Sequence, residues 1–393
     1  MSPIYFDHAA TSWPKPPSVR RAIEAYYGEA GGNPGRSGHR MSIAAARVVE
    51  DARQSLAELF HIEDSGRIAF TKNATEALNL AIYGLLLPGD HAITTGIEHN
   101  SVMRPLRHLE SLGVQLTVVP CAPDGRLDLD QVAQAIRPNT RLLATLHGSN
   151  VSGALLPIRE LAGIARSNGV PYLVDASQTA GAIPIDIEEL GLDLLAFTGH
   201  KSLLGPTGTG GLCTREGLEL RPLMRGGTGS SSDRETQPLF TPDVHESGTL
   251  NVMGLAGLAA GVRFISEEGI GKIAAYEREL VTQFIVGAQD IPGIVLYGPP
   301  VEPRCAVVSF NLGGLLPSEV GQLLDQEYGI LSRVGLHCAP GAHQSLATFP
   351  GGTVRFSFGY SNTVDEIQLS LQALREIAEW ASKQFEERDA VHA

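Results

Sequence analysis

Between about residue 68 and residue 215 the chain repeats one pattern, a short β-rich apolar run followed by a longer segment with helically spaced apolar residues. The runs are RIAF, HAITT, VQLTVVP, RLLATLH, PYLVDAS, DLLAFTG and GGLCT; between them ATEALNLAIYGLL, SVMRPLRHLESLG, DLDQVAQAI and IRELAGIARSNG have the spacing of helices. Strands that alternate with helices pair in parallel and need cover on both faces, so the pattern predicts an α/β fold with a mostly parallel seven-stranded sheet between helices. After the glycine-rich stretch MRGGTGSSSDRETQPLFTPDVHESGT come two long helical patterns, AVVSFNL, a helix from about Ser318, TVRFSFGYS and a final amphipathic helix. That order predicts a smaller α+β C-terminal domain. The expected division is a large domain over 15–260 and a small one over 261–393 joined by the N-terminal segment 1–14. The loop 225–249 is too long for a simple connector and is read as either disordered or functional.

Of the 393 residues, 43% are hydrophobic and 19% charged, enough apolar material for a large core. The net charge of −13, with no basic block, argues against a nucleic-acid or anionic-membrane surface. No apolar stretch reaches membrane-span length and the N-terminus lacks a secretory pattern, so a cytoplasmic protein is expected. Cys121, Cys213, Cys305 and Cys338 are far apart and show no C-x-x-C spacing, which indicates neither a disulfide framework nor a metal site.

The stretch FTGHKSLLGPTGTGG resembles a nucleotide loop only at first sight. Lys201 precedes the glycines instead of closing them, which excludes a P-loop, and the glycines lead into the apolar run GGLCT instead of a helix. For a lysine at random a surface turn is the ordinary reading. Lys201, however, falls just past the carboxyl end of a buried-strand pattern, and Asp175 stands at the end of another. Ligand crevices of open α/β sheets lie at such strand ends. A lysine to carry the cofactor and a carboxylate to keep a pyridine nitrogen protonated suit pyridoxal 5'-phosphate.

The motifs YFDHAAT, TKNATEALN, IEHNS, SNVSG, VDASQTAG, FTGHKSLLGPTGTGG, HESGTLN, SRVGLHCAP and VRFSFGYSNT occur in this order over nearly the whole chain. In them the chain resembles the class V aminotransferase family of pyridoxal-phosphate enzymes, and within it the cysteine desulfurases and selenocysteine lyases. The resemblance implies the type I pyridoxal-phosphate fold, with Lys201 as the cofactor-bearing lysine. It implies that Ala74 and Thr75 bind the phosphate with Thr198 and His200, that His99 stacks on the ring and that Asp175 holds the ring nitrogen. It also implies that Gln178 bonds the phenolic oxygen and that Asn150 lies near that oxygen and the substrate carboxylate. Arg355 would clamp the carboxylate, with Arg333 and His39 as further substrate-side positions. Thr249 would reach the phosphate of a partner subunit, making a homodimer. Against these stand plainer readings: Thr75 as a helix cap, His99 as a surface loop histidine, and Arg333 or His39 as solvated charges.

Three cysteines have apolar or strand-like neighbours and read as buried small hydrophobes. Cys338 lies in SRVGLHCAPGAHQS near Arg333, His337 and His343, cationic groups expected to favour a thiolate. The segment resembles the R-x-G-H-H-C-A signature of group II cysteine desulfurases, except that Leu336 stands where the first histidine is usual. That departure leaves open the activation of the thiol and the choice between sulfur and selenium. The resemblance implies conversion of L-cysteine to L-alanine, a persulfide on Cys338 and a sulfur-acceptor protein. The rivals are a selenocysteine lyase, a cysteine or cystine C–S lyase giving pyruvate, and a non-catalytic interaction protein, against which Lys201 and Asp175 both argue.

Overall fold

The computed structural model describes residues 3–35, 38–300 and 303–392, with side chains described as far as Gln384. The strands are β1 Ile4–Tyr5, β2 Ile68–Thr71, β3 His91–Thr95, β4 Gln115–Val119, β5 Thr140–Leu146, β6 Tyr172–Asp175, β7 Leu194–Thr198, β8 Gly210–Thr214, β9 Ile294–Tyr297, β10 Val307–Leu312, β11 Ile330–Leu331, β12 Arg333–Gly335 and β13 Thr353–Ser357. The helices are α1 Pro17–Glu29, α2 Arg40–Phe60, α3 Ala74–Leu85, α4 Asn100–Ser111, α5 Leu129–Ala135, α6 Ile158–Ser167, α7 Ile187–Leu190, α8 Val252–Glu268, α9 Ile270–Ala288, α10 Pro317–Tyr328, α11 Pro340–Ser345 and α12 Val364–His392.

All seven apolar runs enter one sheet, ordered β2-β8-β7-β6-β5-β3-β4. β3, β4, β5, β6 and β7 pair in parallel, and β8 alone opposes its neighbours. This is the mostly parallel sheet that the alternating pattern predicts. β3, β6, β7 and β8 are buried along their whole length, which is why they read as continuous apolar runs instead of alternating ones. Strand order reverses between β3 and β5, since the chain leaves β3 outward to β4 and returns beyond it to β5. A crevice opens beyond the carboxyl ends of strands at such a reversal.

A second, antiparallel sheet runs β12-β13-β10-β9. Its core gathers Phe284, Phe310, Phe356 and Phe358 with apolar residues of α9, α10 and α12. β1 pairs with β11, and Phe6 packs on Phe356 with ring centroids 5.0 Å apart, so the start of the chain belongs to this second core. Helix α8 buries its apolar residues in the first core, as do Ala339, Ala342 and Leu346 just after Cys338. Cys338 therefore lies where the two cores meet.

Residues 225–249 form neither helix nor strand, yet the segment is tied down. Glu246 is buried, takes Arg53 through both oxygens at 2.9 and 3.0 Å, and accepts from Phe70 N at 2.6 Å. Removing either partner would strand the other's charge in the core, a cost of about 3–5 kcal/mol.

Candidate active site

The carboxyl ends of the central strands open into a cavity. Lys201, three residues past β7, lines it, together with Asp175 from the end of β6, His99 from the segment after β3 and Asn150 from the turn after β5. Burial pulls the Lys201 amine down to about 8, against the nearby Asp175 carboxylate, which raises it; Arg355 and Arg333 add to the lowering. The turn carrying Lys201 is tight: Lys201 O accepts from Leu204 N at 2.8 Å, and Leu204 holds φ at +60°, a left-handed conformation uncommon for a residue with a side chain.

Asp175 is buried, and its Oδ1 accepts from Ser177 N at 2.9 Å and from the Ser177 hydroxyl. His99 caps α4: its Nδ1 accepts from Ser101 N at 3.0 Å, which leaves the ring proton on Nε2. Burial first, and then the cations Lys201, Arg333 and Arg104, hold His99 down near 4 against the opposing Asp175, so the ring is neutral at pH 7. The cap of α3 is Asn73, whose side chain accepts from Glu76 N at 3.0 Å. The capping alternative for Thr75 therefore falls. Its hydroxyl lies in the first helical turn, 3.4 Å from Ser101 Oγ, and with Ala74 it faces the cavity. The signal for this cap, N-x-x-E, was present in the sequence as Asn73 and Glu76.

Thr198 and His200 reach the cavity from the end of β7, and Gln178 from the turn after β6, with its Nε2 donating to Ala9 O at 3.0 Å. Asn150 Nδ2 donates to His337 O at 2.8 Å. On the C-terminal side Arg355 is fully buried in β13; its Nη1 donates to Asn150 O at 3.0 Å and its Nη2 to Asp7 Oδ1 at 2.6 Å. Asp7 and Ser177 lie within the motifs YFDHAAT and VDASQTAG, but sequence reasoning singled out neither.

Cys338 is the exposed cysteine; Cys121, Cys213 and Cys305 are buried, and all four are unpaired thiols. Arg333 Nη2 stands 3.4 Å from Cys338 Sγ. The loop is held at two points: Cys338 O accepts from Asn100 N at 2.8 Å, beside His99, and His337 O accepts from Asn150. His337 and Cys338 both hold positive φ, 48° and 59°, a local strain that those two hydrogen bonds help maintain. One expectation is corrected here. His337 and His343 are not cationic neighbours of the thiol, because both are buried and face each other with ring centroids 5.4 Å apart. Burial is the main cause that takes His337 down to about 2, with Arg355 next, and His343 down to about 4. Arg333 is the cation that reaches the sulfur.

Thr249 and His39 lie outside this cavity within the chain. Thr249 is exposed and lines two other hollows beside Glu246, and His39 is an exposed cap of α2 accepting from Ser42 N.

Glu98, next to His99, escaped the sequence reading. Its buried carboxyl accepts from Thr95 Oγ1 at 2.6 Å and from Leu146 N at 2.9 Å, joining the ends of β3 and β5 at the strand-order reversal. Burial raises it to about 8, against the Thr95 and Leu146 hydrogen bonds, with Asp175 adding to the rise. The folded chain thus keeps this proton to higher pH than the unfolded chain, so stability is full below about 4.5 and falls as pH rises toward about 8. Glu98→Gln has no proton to lose, and its melting temperature should fall less steeply than wild type between about pH 5 and pH 8. Buried Glu277, also raised to about 8, keeps part of the slope. Melting curves across that range check this, and an unchanged slope would reject it.

The cavity suits a phosphorylated pyridine. It offers a helix N-terminus with Thr75, a buried carboxylate, a neutral imidazole and a lysine, and two of its buried polar atoms, His200 Nδ1 and Asn150 Oδ1, have no hydrogen-bond partner.

Comparison with known proteins shows the family to which the chain belongs. A Methanothermobacter thermautotrophicus protein named "Probable cysteine desulfurase" is 37% identical over 382 residues, covering 95% of this chain and 94% of its own. A Pyrococcus abyssi protein of the same name is 37% identical over 387 residues, covering 95% and 94%. The apo structure of a cysteine desulfurase from Thermococcus onnurineus superposes with a TM-score of 0.90 at 35% identity, covering 96% of this chain and 95% of that one. The profile named aminotransferase class-V matches residues 4–369, and no described helix is long and apolar enough to cross a membrane. A match across nearly the whole length, with lysine, carboxylate and histidine converging at the strand ends, places this chain in the class V aminotransferase family.

Proposed function

We propose that this chain is a pyridoxal 5'-phosphate-dependent cysteine desulfurase that converts L-cysteine to L-alanine and takes the sulfur as a persulfide on Cys338. The observation that carries the reading is Cys338 itself: an exposed thiol 3.4 Å from a guanidinium, on a loop hydrogen-bonded to Asn100 beside His99 and to Asn150 on the cavity wall. A lyase that eliminates to pyruvate has no use for such a thiol.

Thr75 and the first turn of α3, with Thr198 and His200, would hold the phosphate. Asp175 would hold the ring nitrogen protonated and neutral His99 would pack against the ring. Bound there, pyridoxal phosphate supplies an electron sink that makes the substrate Cα–H acidic. Arg355 receives the substrate carboxylate, with Asp7 and the Asn150 carbonyl fixing the guanidinium plane. Lys201 removes the Cα proton and later returns protons to carbon. The Cys338 sulfur attacks the substrate sulfur; an S–S bond forms, the substrate C–S bond breaks, and its electron pair leaves with the carbon that becomes the alanine methyl group. The products are alanine and Cys338 persulfide, which a sulfur-acceptor protein takes up.

The same reading makes the active unit a homodimer. Thr249, exposed and outside its own chain's cavity, is then free to reach a partner's phosphate, and the long segment 225–249 has the length for that crossing. It also assigns 15–260 to a cofactor-binding domain and 261–393 with 1–14 to a smaller one, supported by the separate antiparallel sheet with its phenylalanine core, although the end of α8 and Ala339, Ala342 and Leu346 pack into the first core across that boundary. Four unpaired thiols suit the reducing cytoplasm.

The test is product analysis with the holoenzyme and L-cysteine. Alanine should accumulate in step with transferred sulfur and pyruvate should be absent; pyruvate as the main product would overturn the reading.

A further inference from the structure

Residues 11–15 cross from the second core to the turn that carries Lys201, and there they grip its backbone on both sides. His200 O, the carbonyl of the peptide entering Lys201, accepts from Lys15 Nζ at 2.7 Å, Ser12 N at 3.0 Å and Thr11 Oγ1 at 3.0 Å. Lys201 O, the carbonyl of the peptide leaving it, accepts from Ser12 Oγ at 2.8 Å. Lys15 Nζ also donates to Ser12 Oγ at 2.6 Å, so one ammonium orients both contacts.

Lys15 is half-buried, and the oxygens it meets here are neutral. A lysine gives up hydration in such a place, so the arrangement calls for a reason beyond tethering the N-terminus. Tethering is already supplied by the β1–β11 pairing, by buried Phe6 and by the Asp7–Arg355 ion pair. What the clasp adds is local. It fixes both peptide planes around the Cα of Lys201, in a turn that must also hold Leu204 at positive φ.

We propose that Lys15 is a positioning residue for Lys201, holding the backbone from which the reacting amine swings between its cofactor-bound and proton-carrying positions. This rests on the reading of Lys201 as the reacting amine. An amine that must leave and return to one point within a fraction of an ångström gains rate from a fixed root, because lost orientation costs turnover more than it costs binding.

The experiment compares wild type, Lys15→Met, Lys15→Arg and Ser12→Ala holoenzymes. In Lys15→Met, kcat for alanine formation should fall ~10-fold while KM for L-cysteine moves less than ~3-fold. Amide hydrogen exchange over residues 199–204 should rise ~10-fold in the same variant, a readout independent of turnover. Lys15→Arg should recover most of both losses, since a guanidinium can donate to the same two oxygens. Ser12→Ala should show the same split at smaller size and serves if Lys15→Met does not fold. A folded Lys15→Met, or failing that Ser12→Ala, with wild-type kcat and wild-type exchange and only a lower melting temperature would overturn the proposal. A wild-type protein that binds no pyridoxal phosphate would instead overturn the reading of the site, which separates the two failures.

Discussion

Lys201→Ala should yield a folded protein that no longer carries covalently bound, yellow cofactor and whose alanine formation from L-cysteine falls by ~10^4-fold, the upper end of what one positioned acid–base group contributes. Two separate properties are lost together. In the proposed mechanism the amine is the covalent anchor and also the base that moves the Cα proton. Burial brings it to about 8, so roughly a tenth of a free amine would be unprotonated at pH 7, against a few in ten thousand at the ordinary 10.5. The methyl group of alanine can do neither job, and no other lysine lines the cavity among the described residues. Visible absorbance after dialysis and a stopped assay for alanine check both halves. An alanine variant that keeps the covalent chromophore would show that another amine holds the cofactor, and one that loses colour but keeps turnover would remove Lys201 from proton transfer.

The parts of this site that were legible in the sequence share a physical property: they sit directly after buried strands. β6 and β7 are continuous apolar runs, so the polar residue at each end, Asp175 and then Lys201, stood out against its neighbours. The sheet was legible for the same reason, because strands covered on both faces have few polar residues to confuse the pattern. What stayed hidden depends on residues distant along the chain. Asp7 meets Arg355 across 348 positions, and Lys15 meets His200 across 185, with no local spacing to announce either. The charge of a histidine was equally out of reach. His337 and His343 read as cations beside Cys338 because of their order in the chain, whereas their burial in the fold makes them neutral and leaves that task to Arg333. His39 illustrates another limit, since it is an exposed cap of α2 and lies outside the cavity for which the sequence suggested it, whereas Thr249, expected at a partner's phosphate, lies outside its own chain's cavity.

Cys338→Ser should keep the coloured cofactor and still lower alanine formation by on the order of 10^3-fold. The substitution changes one atom in an exposed loop whose hydrogen bonds to Asn100 and Asn150 run through backbone carbonyls, so the loop should keep its place. The change is confined to the chemistry. A thiol can donate a pair to the substrate sulfur and form a stable S–S bond, while a hydroxyl is rarely ionised and forms no comparable bond to sulfur. In the proposed mechanism the steps before sulfur transfer use the cofactor-binding residues with Lys201 and Arg355 and not the Cys338 thiol, and the variant retains all of these. In deuterated water the serine variant should therefore continue to exchange the Cα proton of L-cysteine at near wild-type rate, seen by proton NMR, while alanine and released sulfur both collapse. Arg333→Lys should fall between the two proteins: it keeps a cation near Sγ but loses the planar fork that reaches the sulfur at 3.4 Å. Undiminished alanine from Cys338→Ser would reject the persulfide route, and loss of Cα exchange together with alanine would show that Cys338 acts earlier than sulfur transfer.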